Sequence, residues 1–566
     1  LNVSGRVKMD QSTTKYTEKF YASTFTQLTE SSQNGLYGIS QMTDRQIYAD
    51  FLVNINKRFG QDWNLQVNLG TSISDMFYDA LKNRGPIADG QMSAERAGIA
   101  NVFNVQNLSN STKTTRLQDG WREQTQSIFG SAELGFKGAY YLTLTARNDW
   151  PSQLAGPHSN RKSFFYPSIG GSVVLSQIIP NMPKALEYLK IRGSYASVGT
   201  AFERYIANPM YSWNTSGLSW NTQTQYPVYD LKPELTNSFE IGLSMRFLQY
   251  FNLDATYYHT NTKNQTFNPQ ISTGSGSSDI FIQSGDVRNQ GLEFTLGFGK
   301  TWNKFTWNSN YTFSFNENKI MSLAENVTNP ATGEKFSVSQ LDMNGLGLAH
   351  FILREGGTLG DLYSLGDFSY DANGRIIVNE DGTVTTRTFS DTKDYVKLGS
   401  VLPKANMSWR NDFNIAGFNF GFLVSARLGG IVYSSTQAIL DYYGVSEASA
   451  LARDNGGVFL NGGDRLDANK WYSSVGGSNP LPQEYTYSGT NVRLQEASVG
   501  YTFPRKMLGN VCDLNISVVG RNLWMIYNKA PFDPESIATT GNYYQGIDHF
   551  MMPSLRNFGF NVRITF

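Results

Sequence analysis

The chain holds a single cysteine, Cys512, and four histidines, His158, His259, His350 and His549, in 566 residues. One thiol cannot close an internal disulfide, and no His-x-x-x-His or Cys-x-x-Cys spacing occurs, so neither a disulfide framework nor a structural zinc site is expected. An excess of either charge is lacking too. The 47 basic residues balance the 47 acidic ones, which argues against a surface built for nucleic-acid phosphates. No apolar run approaches the roughly 18 to 20 residues of a membrane helix, and the mean hydropathy is −0.37. An initiator methionine, a basic leader and an apolar leader core are missing, so a chain opening on Leu1-Asn2-Val3-Ser4 reads as a fragment or as incomplete sequence. Catalytic signatures are missing as well: no Gly-x-Ser-x-Gly, Walker-A loop, dinucleotide fingerprint or His-Glu-x-x-His is found. The scattered carboxylates offer too many pairs for any one to mark a glycosidase. We therefore expect no enzymatic activity, no cofactor and no metal.

What is present is alternation. Phe558, Phe560, Val562, Ile564 and Phe566 fall on one face of an extended strand, with Asn557, Gly559, Asn561, Arg563 and Thr565 on the other. The same period of two runs through Phe239–Phe247, Phe251–Tyr258, Trp63–Leu69 and Trp307–Phe313, while helical periodicity is nearly absent. Soluble stacked sandwiches alternate as well, so alternation alone leaves both architectures open. Connection lengths separate them. Short turns at 59–63, 137–139, 248–250, 300–304 and 414–417 alternate with long polar segments near 76–120, 149–164, 199–235, 263–289, 319–402, 434–488 and 528–552. Brief turns at one end and long loops at the other are the pattern of an outer-membrane barrel. Arg192, Arg246, Arg410 and Arg563 sit on the polar faces of their strands, where they avoid the roughly 2 to 4 kcal/mol cost of facing lipid.

The fold class expected is thus all-β: an antiparallel transmembrane β-barrel with short periplasmic turns and long extracellular loops. About 17 strands can be placed, with the first and last both running toward the periplasm. An odd set does not close alone, so the whole barrel is expected to have about 22 strands, a size whose lumen holds a plug.

The residues also carry a resemblance. Tyr140-Tyr141-Leu142-Thr143-Leu144-Thr145-Ala146-Arg147-Asn148-Asp149, then Phe165-Tyr166-Pro167-Ser168, then Leu189-Lys190-Ile191-Arg192-Gly193-Ser194-Tyr195-Ala196-Ser197-Val198-Gly199, occur in order. They are followed by Leu231-Lys232-Pro233-Glu234, Gly285-Asp286-Val287-Arg288-Asn289-Gln290-Gly291-Leu292-Glu293, Val499-Gly500-Tyr501-Thr502-Phe503-Pro504, Gly520-Arg521-Asn522-Leu523-Trp524 and Phe532-Asp533-Pro534-Glu535. In order and spacing the chain resembles the C-terminal barrel portion of the SusC/RagA-like TonB-dependent outer-membrane transporters of Bacteroidetes. The resemblance implies that residues 1–566 belong to such a barrel, with the family's N-terminal plug, TonB box and first strands outside this sequence. It implies an active importer of oligosaccharides or peptides in the outer membrane, coupled to TonB and working with a SusD-like surface lipoprotein. A passive porin and a surface adhesin that displays its loops are the rival readings.

Candidate ligand contacts are the loop aromatics Trp213, Trp220, Tyr442, Tyr443, Trp471, Tyr543 and Tyr544, with Tyr472, Tyr485 and Tyr487 nearby. Their flat faces suit sugar rings or peptide side chains, and Asn214, Asn221 and Asp441 lie beside them to orient hydroxyls or amides. The same aromatics would equally serve to fold the loops together or to meet a partner. Phe566, a terminal aromatic on the apolar face, is the expected assembly signal. Asp371-Ala372-Asn373-Gly374-Arg375-Ile376 lacks the alternate carboxylates and terminal Glu of a calcium loop and reads as a hairpin turn.

Overall fold

The computed structural model describes the chain except residues 94–95, 157–158, 160–161, 207–212, 215–218, 221–230, 268–280, 329–334 and 539–543. Its main sheet has sixteen strands, each hydrogen-bonded to the next in chain order. They are β1 (Asn2–Phe20), β2 (Leu36–Phe59), β3 (Trp63–Pro86), β4 (Thr115–Phe136), β5 (Tyr140–Pro151), β6 (Phe164–Val174), β7 (Leu186–Thr200) and β8 (Glu234–Phe247). The second half comprises β9 (Phe251–Phe267), β10 (Ile282–Trp302), β11 (Phe305–Ser322), β12 (Ala405–Ile415), β13 (Phe418–Leu428), β14 (Asn491–Phe503), β15 (Asp513–Asn528) and β16 (Asn557–Thr565). The described residues give this sheet sixteen strands where about seventeen were expected, an even set rather than an odd one. A long connection follows β1 and another precedes β16, so β1 runs toward the long-loop end and β16 away from it.

Tight turns at the short end force backbone into the left-handed region. Leu248 and Gln249 between β8 and β9 have φ of 52° and 66°, and Ala416 and Gly417 between β12 and β13 have 50° and 96°. Two central residues with positive φ match the twist of the flanking strands.

The chain forms two compact units. In the first (1–137, 142–169 and 198–233), β1–β4 pair residue for residue without a break in register. Their apolar side chains are the ones left outside: Val7, Phe51, Leu69 and Ile128 are exposed, whereas Asp50, Ser72 and Ser127 on the opposite face are buried. A water-soluble sheet would do the reverse. Asp50 is satisfied by two hydrogen bonds from Arg6, at 2.9 and 2.7 Å.

The second unit (138–141, 170–197 and 234–566) repeats this inside-out arrangement. Register sets Ile241 opposite Tyr257, Leu243 opposite Ala255 and Met245 opposite Leu253, with Gly242–Thr256 and Ser244–Asp254 on the other face. Phe239, Ile241, Leu292, Phe420, Val518, Phe560 and Ile564 are exposed. The unit's conventional core lies in its long loops. Phe351, Leu362, Phe368, Val401, Tyr433, Trp471, Val475 and Tyr485, drawn from segments 323–404 and 429–490, pack into one buried cluster joined by Ile547.

Three helices contribute to this loop assembly, although helical periodicity is nearly absent from the sequence: α1 (Ser435–Tyr442), α2 (Glu447–Asp454) and α3 (Ala468–Val475). Each has a capped start. Ser434 accepts from the Gln437 N–H, Ser446 from Ser449, and Asp467 from Asn469 and Lys470, each cap contributing about 1 kcal/mol.

Candidate functional site

On the polar face of the second unit, Arg192 of β7 reaches across β8 to Asp254 of β9. Its Nη2 donates to Oδ1 at 2.8 Å and its Nη1 to Oδ2 at 3.0 Å, while Ser244 and Thr256 complete the network. Gly242 makes room for this fork, because a Cβ there would meet the guanidinium at 2.6 Å. A second network joins Arg410 to Asp412 and Glu496, and Glu496 to Arg521. A cavity of about 370 Å³ lies among Asp254, Thr256, Glu293, Thr295, Thr312 and Ser408. This face is therefore polar and internally paired, the character of a barrel's inner face.

Two of the sequence landmarks prove to be polar clamps. In the first unit, Asp149 accepts from Arg147 Nε at 2.7 Å and from the Tyr166 hydroxyl at 2.6 Å, which joins the β5 motif to the β6 motif. In the second, the guanidinium of Arg493 is buried against Asp533 (2.8 and 3.2 Å), Glu535 (3.1 Å) and the Asn522 side-chain oxygen (3.3 Å). This clamp pins the last long connection, 529–556, to β14 and β15. Burial alone would raise the Asp533 carboxyl, but hydrogen bonds from Arg493 and Ser554 outweigh it and hold the group below the usual carboxylate range. Reading the chain by hydrophobic period missed both clamps, since their partners lie on different strands or loops.

The loop aromatics divide. Tyr442 and Tyr443, at the end of α1, are exposed and meet edge to face at 5.2 Å, with Tyr443 at 71% exposure. Tyr544 is also exposed and touches Phe351 edge-on. Trp220 is exposed on a short strand pair whose backbone aligns it with Trp213.

Trp471 is a correction. It is 7% exposed, stacks on Phe368 at 5.7 Å and belongs to the loop core, because Ala468, Trp471 and Val475 recur at helical spacing on the inner side of α3. Tyr485 is buried in the same core. Asp441 likewise turns inward to Ser446 and Gln437, and burial pushes its carboxyl above the ordinary range. Tyr543 and Asn221 lie outside the described residues.

Phe566 is exposed beside β16, on the face of Phe558 and Phe560. The segment at Asp371 is the expected hairpin turn: its Oδ1 accepts from the N–H groups of Asn373 and Arg375, both at 2.8 Å, and Gly374 has φ 75°.

An inside-out antiparallel sheet with paired ions on its polar face and folded loops at one end agrees with what known proteins offer. Residues 5–421 match the family described as TonB dependent receptor-like, beta-barrel. The chain belongs to that family. TonB-dependent receptor P3 of Formosa agariphila is 24% identical over 90% of this chain and 51% of its own length. TonB-dependent receptor P26 of the same organism is 25% identical over 84% of this chain and 50% of its own. The chain thus spans about half the length of the curated relatives it matches. The RagAB peptide importer in its open-open state aligns over 100% of this chain and 59% of that one, with a TM-score of 0.77 and 13% identity. The RagAB peptide transporter aligns with a TM-score of 0.75 at 15% identity over 60% of its chain. At such identity the likeness is one of fold. This TonB-dependent receptor barrel resides in the outer membrane, its apolar sheet face toward lipid.

Proposed function

We propose that the chain is the barrel part of an active importer, coupled to TonB through regions outside this sequence, that takes up peptides or oligosaccharides with a surface lipoprotein as its lid. The observation that carries this reading is the loop assembly of the second unit, a folded body with its own buried core rather than a set of loose connections. Such a body holds exposed aromatics at fixed positions, as a binding surface requires. Around Tyr442 and Tyr443, the side chains of Val445 and Leu451 are also exposed, an apolar patch suited to a lid protein.

A passive porin closes at about 16 to 18 strands, so strand number does not favour the importer. Family membership and the organised loops do. RagAB is a peptide importer, which makes short peptides the first ligands to try and oligosaccharides the second. We further read the protein as a carrier rather than a catalyst, so the ligand should leave chemically unchanged.

The test is native purification of the full-length receptor from its own membrane, with mass spectrometry of whatever accompanies it. A co-purifying lipoprotein and an intact peptide or glycan are expected, and Tyr442→Ala with Tyr443→Ala should reduce one or both. A full-length preparation carrying neither, with uptake indifferent to collapse of the proton gradient, would overturn the importer.

A further inference from the structure

On the first unit, the lipid-facing side of β1–β4 is apolar up to a definite level and charged beyond it. Register places Val3, Val53, Leu69 and Gly130 in one row across the four strands. Toward the long loops, Met9, Ile47, Asp75 and Gln124 form a row, and Gln11, Arg45, Phe77 and Arg122 the next. The run from Trp63 to Ile73 on β3, at roughly 3.3 Å per residue and a tilt of about 40°, covers about 25 Å, the height of a barrel's apolar band. Arg45 and Arg122 therefore stand where hydrocarbon gives way to headgroups, on the side of the extracellular loops.

Their geometry leaves donors unused. The Arg45 guanidinium lies 5.1 Å over the Phe77 ring, its Nε is buried without an acceptor, and it makes no ion pair among the described residues. Arg122, on the other side of Phe77, is 65% exposed at its side chain and directs both Nε and Nη2 to one oxygen, Oδ2 of Asp75, at 2.9 Å. Two cations thus stand near a single carboxylate at the membrane edge, and of the two only Arg122 is bonded to it.

We propose that Arg45 and Arg122 hold the phosphate of an outer-leaflet lipid, whose acyl chains lie along Val7, Ala49, Ile73 and Ile128 below. Guanidinium forks match phosphate oxygens bidentately. An anion held by these two groups must leave its remainder on the apolar face, which selects a lipid over a soluble anion. Phe77 between the two arginines keeps them apart and dry on one side.

The test is native mass spectrometry of the full chain in detergent, titrated with short-chain phosphatidic acid and, separately, with diacylglycerol of the same chains. The wild type should bind the phosphorylated lipid about tenfold more tightly, and Arg45→Gln with Arg122→Gln should lose that preference. Asp75→Asn should move binding the other way, tightening it by freeing Arg122, whereas a purely structural role for the carboxylate predicts weaker binding. Should the double variant fail to fold by heat-modifiability on a gel, the wild-type lipid comparison and Asp75→Asn decide. Equal binding of the two lipids by the wild type, a preference that survives in the double variant, or weaker binding in Asp75→Asn would each overturn the proposal.

Discussion

At the scale of single residues, the chemistry of one side chain depends on which of two adjacent faces it occupies. On β16, Val562 stands opposite Ile516 and Ile564 opposite Leu514, whereas Asn561 stands opposite Ser517. The first set meets acyl chains and the second the polar face. Val562→Arg therefore places a cation in lipid at a cost of about 2 to 4 kcal/mol, and Asn561→Arg costs little. Heat-modifiable folded barrel measured on a gel should fall sharply for the first and hardly at all for the second; equal loss would mean that the register is wrong by one residue. Gly242 illustrates the converse constraint. It is required because Arg192 lies over it, and only the structure could reveal that, since the two belong to different strands. Trp471 shows the limit of composition. An aromatic in a long polar segment serves a ligand or a core equally well on paper, and its helical spacing with Ala468 and Val475, short as it is, was the signal available.

At the scale of elements, strands embedded in lipid were legible because a bilayer enforces strict alternation over about ten residues. Beyond the membrane the constraint lapses. β3 continues to Pro86 with Asp75, Phe77 and Asp79 in the sequence of its outer face, so a reading by hydrophobic period begins the loop near residue 76, ten residues early. Clamps between elements were visible only as landmarks. Arg493, Asp533 and Glu535 show what such a landmark does, and their energetics are testable. The Asp533 carboxyl is depressed in the folded chain, so its contribution is fully present above the unfolded value of about 4 and is lost as pH falls through the lower folded value. A spin label at Lys529 should therefore stay immobile at neutral pH and gain mobility only well below about pH 4. Arg493→Met, which strips the mostly buried Asp533 carboxylate of its cation, should release the same segment at neutral pH, with a loss of about 3 to 5 kcal/mol. Immobility of the label under both conditions would mean that the connection is held elsewhere.

At the scale of the whole molecule, the second unit joins a sheet that needs lipid to a loop body that needs water. The two are stabilised by different solvents: the sheet by burying its apolar face in hydrocarbon, and the loops by the hydrophobic cluster around Phe351, Tyr433 and Trp471. Denaturant acts on the aqueous body first, because urea weakens burial from water while the bilayer still covers the sheet. Proteolysis within 323–404 and 429–490 should accordingly precede loss of the heat-modifiable band as urea rises in proteoliposomes. Trp471→Ala opens a cavity in the loop core, costing about 3 to 5 kcal/mol. It should bring the first event to lower urea and leave the second where it was. Tyr443→Ala, which removes only exposed surface, should move neither. A single transition shifted as a whole by Trp471→Ala would show instead that sheet and loops fold as one cooperative unit, and that the loop body cannot change state while the barrel stands.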